Sequence, residues 1–151
     1  MEETKTATKD YTPLYTVRMF KEDDRKFIMA TFLKGLYYGD SWFSKIPKAV
    51  FMDSYKRFIT NVIADPSTAI HVACLNDDPD IIIGYSILGH DYNTLHWVFV
   101  KSAWRNGGVA KNLVPSRAKQ VTHLTALGEK LLTKLEYATF NPFYNGEQPN
   151  V

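Results

Sequence analysis

The chain has 151 residues and a mass of 17.3 kDa, a size at which folding buries about 69% of the unfolded surface around a single core. Hydrophobic residues make up 45% and charged residues 23%, which excludes a disordered or collagen-like chain, and the single cysteine, Cys74, excludes an internal disulfide. Lys plus Arg is 18 against 16 Asp plus Glu, and the net charge of +2 gives only a faint lean toward anionic partners.

Met1 to Lys9 is polar and mixed in charge, so residues 1–12 are expected to form a flexible leader without a secretory signal. No run reaches the roughly 18 apolar residues of a membrane span, and a cytoplasmic protein is expected. One domain is expected over 13–144. It opens with a strand at Leu14–Phe20, whose β-branched and aromatic residues suit a pleated surface. Asp23 or Asp24 then caps a helix over Arg25–Tyr38, with Phe27, Ile28, Phe32, Leu33 and Leu36 at helical spacing and Gly39 ending it. Pro47 starts a second helix running to Ala64, which Asp65-Pro66 stops.

The periodicity then changes. Ala69–Leu75, Asp80–Leu88 and Thr94–Lys101 are short apolar runs separated by turn-forming residues, an antiparallel meander. Cys74, inside the first run, reads as a buried small hydrophobe. A helix over Gly107–Lys119 is expected to be shortened or kinked by Pro115. A strand at Val121–Leu124, a helix at Ala126–Leu135, a strand within Tyr137–Tyr144 and a flexible tail over 145–151 complete the reading. This order gives an α/β class with a parallel crossover between the Thr94 and Val121 strands, whose first loop is a ligand position in open sheets.

That loop, Arg105-Asn106-Gly107-Gly108-Val109-Ala110, follows a strand and opens a helix. Unpaired N–H groups at a helix start carry positive partial charge and accept phosphate, while glycine lets the backbone approach. The segment lacks the lysine-serine ending of a P-loop and the three-glycine dinucleotide pattern. It resembles the Arg/Gln-x-x-Gly-x-Gly/Ala motif of the GNAT superfamily of N-acetyltransferases, and the element order extends the resemblance over most of the chain. Ile83-Gly84-Tyr85, Leu95–Lys101 and Val121–Thr125 are also similar to small acetyltransferase-like proteins of bacteriophages and prophages, a resemblance that would place the protein in a host cytoplasm.

The resemblance implies a mixed, mostly antiparallel sheet with helices on both faces and a splayed parallel strand pair. It implies an acyl-CoA donor, acetyl-CoA or another, with its pyrophosphate on Asn106, Gly107, Gly108, Val109 and Ala110 beside Arg105, and its pantetheine arm on the main chain of Val98, Phe99 and Val100. The reaction would be direct attack of an amine on the thioester, with a base for the proton and an acid for the thiolate. His96 is the candidate base, and strand alternation places it on one face with Val98 and Val100; the alternative is a packed histidine. The superfamily's usual acid is a tyrosine in the helix after the Val121 strand. Ala126–Leu135 holds none, leaving Tyr137 and Tyr144 as candidates.

Tyr38, Trp42 and Phe43, in an aromatic loop with Asp40, together with His123 and Thr125, are candidates for the acceptor side. No His/Cys/Asp cluster has metal-ligand spacing. No basic stripe calls for nucleic acid, although phage enzymes of similar fold that modify DNA bases keep that partner open, and a homodimer also stays open. The competing reading is a non-catalytic accessory or structural protein that keeps the fold to bind a macromolecular partner.

Overall fold

A computed structural model describes residues 14–89, 92–116, 118–123, 125 and 138–142. Six strands form one sheet in the order β1 to β6: β1 (Tyr15–Met19), β2 (Ala69–Leu75), β3 (Ile82–Gly89), β4 (Thr94–Val100), β5 (Gln120–Val121) and β6 (Thr139–Phe140). The first four pair antiparallel, and β5 runs parallel to β4. β6 also runs parallel to β5, a pairing the sequence reading did not specify. The expected helix at Ala126–Leu135 lies outside the described residues, as do Tyr137 and Tyr144.

One face of the sheet carries α1 (Arg25–Gly39) and α3 (Lys48–Ala64), joined by the helical turn α2 (Ser41–Ser44). The expected open loop at Ser41–Ser44 is therefore a turn of helix. Asp40 builds it: its carboxylate accepts the Trp42 N–H at 2.7 Å as an N-cap. Ile28, Phe32, Leu36, Phe51 and Ile59 project from the two long helices onto Val72, Tyr85, Ile87 and Trp97 of the sheet, forming the main core. Each such side chain contributes about 1.5–3 kcal/mol relative to exposure. Tyr85 is fully buried but keeps its hydroxyl satisfied, donating to the Ile28 carbonyl at 3.1 Å with Thr31 Oγ1 at hydrogen-bond distance, 2.7 Å.

The opposite face carries α4 (Val109–Leu113), whose Val109 and Leu113 pack on Ala73 and Ile83. α4 is shorter than the expected helix because Val114, next to Pro115, leaves the helical region at φ −112°, ψ 114°; the ring of a proline excludes the helical conformation from the residue before it. At the start of the chain, buried Asp24 accepts from Arg18 through both carboxylate oxygens (2.8 and 2.9 Å) and from the Lys21 N–H (2.8 Å), tying β1 to the entry of α1. Burial raises this carboxyl's pKa, and these hydrogen bonds together outweigh it, so the net shift is downward.

β3 leaves no room for a side chain at Gly84, where an added Cβ would lie 2.7 Å from the Phe99 carbonyl oxygen and 3.3 Å from Leu113. The main chain cannot yield there as a flexible side chain could. Gly84→Ala is expected to destabilise the protein by about 1–3 kcal/mol; urea unfolding with an unchanged m-value and a lowered midpoint would show it, and an unchanged midpoint would refute the close packing.

Candidate active site

Among the described residues, β4 is paired along its whole length on one side only. On the β5 side the registered pairs are Thr94↔Gln120 and Leu95↔Val121, followed by one further bond from the Thr122 N–H to the Leu95 carbonyl (3.1 Å). Beyond that point no described strand follows β4. On the other side, the Lys101 N–H donates to the Ile83 carbonyl at 2.8 Å, and the register Gly84↔Val100, Tyr85↔Phe99, Ser86↔Val98 fixes the alternation. Phe99 and Trp97 spend their main-chain groups on β3, whereas Val98 and Val100 direct theirs to the open side. Arg105 corroborates this, since its Nε donates to the Val100 carbonyl at 2.9 Å. Of the three residues expected to meet a pantetheine arm, Val98 and Val100 thus present main-chain groups to the open edge, and Phe99 does not.

The open edge leads directly into the glycine loop. Ser102–Trp104 makes a 3-10 turn, Asn106 and Gly108 take left-handed φ values of 66° and 85°, and Gly108 caps α4. A Cβ on Gly108 would meet nothing within 4 Å. The glycine is there for its backbone conformation, and the space above it is open. Trp104 anchors the loop by packing edge-on against Tyr15, ring centroids 6.2 Å apart. Arg105 is exposed, and its Nε bond to the Val100 carbonyl holds the guanidinium beside the loop.

At the other end of the open edge, where β5 leaves β4, two histidines meet across one hydroxyl. His96 Nδ1 lies 3.1 Å from Thr122 Oγ1, and the same oxygen lies 2.8 Å from His123 Nδ1. His96 does not share a face with Val98 and Val100 as alternation predicts. A bulge opposite Ile87 and Leu88 makes it the extra residue of β4, which sets its ring against Phe58 of α3 at 6.3 Å, while Val98 and Val100 pack toward α4. His123 sits among Phe58 (4.9 Å), Phe32 and Tyr55 (both 5.8 Å). Burial pushes both imidazoles down to about 4; Asp65 opposes the shift at His96, while at His123 the charge of His96 adds to it and a hydrogen bond with the His96 main chain opposes it. Both rings are neutral at pH 7.

No protein-family model matches the sequence, and comparison with curated proteins finds no match. Solved structures do resemble it. An acetyl transferase assignment from Pyrococcus furiosus superposes with a TM-score of 0.52 at 12% identity over 84% of this chain and 80% of its own. The aminoglycoside N-acetyltransferase AAC(6')-Iy matches in two complexes. With a CoA-S-monomethyl-acetylneamine bisubstrate analog the TM-score is 0.51 at 14% identity over 91% of this chain and 95% of that one; with CoA it is 0.50 at 13% over 91% and 92%. The fold is GNAT-like. In GNAT terms, β4 and β5 are the splayed parallel pair and the Arg105–Ala110 segment is the loop at its mouth.

The remaining residues expected at the site divide into two groups. Trp42 and Tyr38 are exposed, and Phe43 is half-buried against Phe51 and Tyr55 (5.9 and 5.7 Å). Trp42, Phe43, Tyr55 and His123 make a continuous run of ring contacts at 5.0, 5.7 and 5.8 Å from the surface to the histidine pair. Thr125, by contrast, is buried against the end of α1, where Gly39 has no Cβ to collide with it. Sequence reasoning missed Thr122, Tyr55 and Phe58. The helical spacing of Tyr55 and Phe58 on α3 was a usable signal for the two rings; nothing local marked Thr122. Among the described residues no group of His, Cys, Asp or Glu could hold a metal, and no helix is long and apolar enough to cross a membrane.

Both histidines have folded values near 4 against 6.5 unfolded, so between those limits the unfolded chain binds more protons. Their contribution is complete above pH 6.5 and is lost as pH falls through about 4. Thermal melts from pH 7.5 to 4 should show a falling Tm, with a shallower fall in His123→Gln; identical slopes in the two proteins would contradict a buried neutral His123.

Proposed function

We propose that the protein is an acyl-CoA-dependent N-acyltransferase, with acetyl-CoA the simplest donor, acting on an amine borne by a flat or apolar group. The observation that carries this reading is the one-sided pairing of β4. The open edge offers the main-chain groups of Val98 and the N–H of Val100 in the direction of a glycine loop with space above it, and supports an extended amide-bearing arm ending in a pyrophosphate. Asn106, Gly107, Gly108, Val109 and Ala110 would surround the pyrophosphate, with Arg105 as the added cation.

When bound, acyl-CoA supplies a thioester carbon for the amine and a thiolate leaving group. The chain's own part is to hold the arm in extended form, to place a neutral imidazole where the amine must lose its proton, and to cover the reacting end with rings that exclude water. His96 and His123 stand at the apex of the splay for the proton transfer. Tyr137 and Tyr144 remain candidates for the acid.

The acceptor would approach along the Trp42, Phe43, Tyr55 wall. That surface has little free negative charge: Asp40 caps α2, and Asp53 is paired with Arg57 at 2.7 Å. It also carries exposed Lys45 and Lys48, the latter donating to the Tyr38 hydroxyl at 3.1 Å. Such a surface favours a monoamine with an aromatic or apolar body over a polycation such as an aminoglycoside.

Calorimetry with acetyl-CoA, CoA and ATP tests the donor. CoA species should bind in preference to ATP, and Gly108→Asp should weaken them by about tenfold or more, through one added charge and a strained left-handed φ. His96→Ala should keep donor binding and lower turnover by about a hundredfold. No CoA binding by a folded sample would sink the transferase reading; turnover confined to polycationic acceptors would sink the acceptor class alone.

A further inference from the structure

The loop over Arg105–Ala110 holds a backbone conformation that it does not favour by itself. Asn106 takes a left-handed φ of 66°, which costs free energy in any residue with a Cβ, although less in asparagine than in most. Such backbone persists where its surroundings over-determine it. Arg105 holds the first residue of the loop to the Val100 carbonyl. Beyond the loop, the five-residue α4 meets the sheet through Val109 and Leu113 against Ala73 and Ile83. Apolar contacts set how far α4 stands from the sheet, but they are non-directional and do little to stop it sliding or turning there.

Directional contacts to the two flanks of the loop converge on one residue of the edge strand β1. The Asn112 side-chain amide donates to the Tyr15 hydroxyl at 2.6 Å, across 97 positions of sequence. The Tyr15 ring packs edge-on against Trp104, with centroids 6.2 Å apart and planes at 82°, a geometry that aromatic pairs prefer. Trp104 precedes the loop and Asn112 follows it, so both flanks rest on the same side chain. That side chain stands on a fixed base: Tyr15 pairs with Leu75 of β2, and the adjoining Asn76 N–H donates to the Leu14 carbonyl at 3.0 Å. Between the flanks the loop folds back on itself, and a Cβ on Gly107 would already touch the Trp104 carbonyl oxygen at 3.6 Å.

We propose that Tyr15 is a positioning residue for the pyrophosphate loop: it fixes the span between Trp104 and Asn112 and thereby holds Asn106, Gly107 and Gly108 in the curved backbone offered to the ligand. Without the pin, Asn106 relaxes toward negative φ and the loop has to be ordered again when a ligand arrives, which weakens binding without altering any contact made in the complex. The effect therefore falls on affinity for the donor and leaves the chemical step alone. It also falls on the pyrophosphate end of the donor and leaves the pantetheine arm, which lies along β4, alone. The link to CoA rests on the acyltransferase reading, whereas the pinning of the loop does not.

The test compares the full chain with Tyr15→Phe, which keeps the ring and removes the hydroxyl, and with Asn112→Ala, at an exposed position of α4. In the ligand-free protein the backbone ¹⁵N order parameters of Asn106, Gly107 and Gly108 should match a rigid strand, at about 0.85. They should fall in either variant while those of Val72 and Tyr85 stay unchanged. Both variants should weaken CoA binding by about three- to tenfold, the worth of one hydrogen bond, and leave the binding of pantetheine, which lacks the pyrophosphate, as it was. In turnover, KM for acetyl-CoA should rise with kcat unchanged. The double variant should bind CoA no more weakly than either single one, because both changes remove the same bond. A loop already mobile in wild type, order parameters unchanged in both variants or lowered alike across the sheet, or additive losses in the double variant would overturn the proposal; should Tyr15→Phe not fold, Asn112→Ala decides. A rigid loop released by the variants in a protein that binds no CoA would leave the pin and remove the transferase reading, while CoA bound equally tightly by wild type and both variants would do the reverse.

Discussion

The half-open edge of β4 is the constraint on which the rest of the molecule turns. A strand in the middle of a sheet ordinarily spends its main-chain groups on two neighbours, and leaving one side open exposes donors and acceptors that must find other partners. Among the described residues, β5 pairs with β4 for two residues and adds one further bond from Thr122. The two ends of the opening are closed by different chemistry. At the far end a cation, Arg105, takes the Val100 carbonyl; at the near end Thr122 turns its side chain to two histidines immediately after its N–H has made the last bond to β4. The opening between them is fixed by what caps it.

Both faces of the sheet hold that opening in place. Toward α1 and α3, aromatic rings fill the space that a regular β4 would leave, and the bulge opposite Ile87 and Leu88 turns His96 into them. Toward α4, Val98 and Val100 meet Val109 and Leu113. The bulge thus separates two environments within five residues: His96 turns to the helix-covered apex, and the main-chain groups of Val98 and Val100 face the edge. Without the bulge His96 would lie on the α4 side, away from the ring cluster that now keeps it dry.

Elements whose signals are local were legible in the sequence. The meander strands, α1 and α3 follow from periodicity, and the early end of α4 follows from the ring of Pro115, with boundaries shifting by one or two residues. The glycine loop was legible as a motif because left-handed φ at Gly108 requires a residue type. The α2 turn was hidden because Asp40 could equally have been a free carboxylate, and only its cap to the Trp42 N–H decides between them. The face of His96 was misread because alternation assumes one residue per partner, and a bulge depends on the neighbouring strand as much as on β4 itself. Thr122 was invisible for the same reason at longer range. A threonine acquires a role when two rings, one 26 residues away, arrive on the same oxygen.

That last case shows how a low-dielectric site converts position into protonation. In water, a histidine near pH 7 exchanges charge and tautomer freely, and no neighbour dictates either. Buried beside Phe58, each ring pays for charge with desolvation, so the charged form is removed first. What remains is a pair of neutral imidazoles meeting on one hydroxyl. A more solvated pair on the same backbone would hold the same distances and regain the charge, which is why the rings around His123 belong to the site as much as the histidines do.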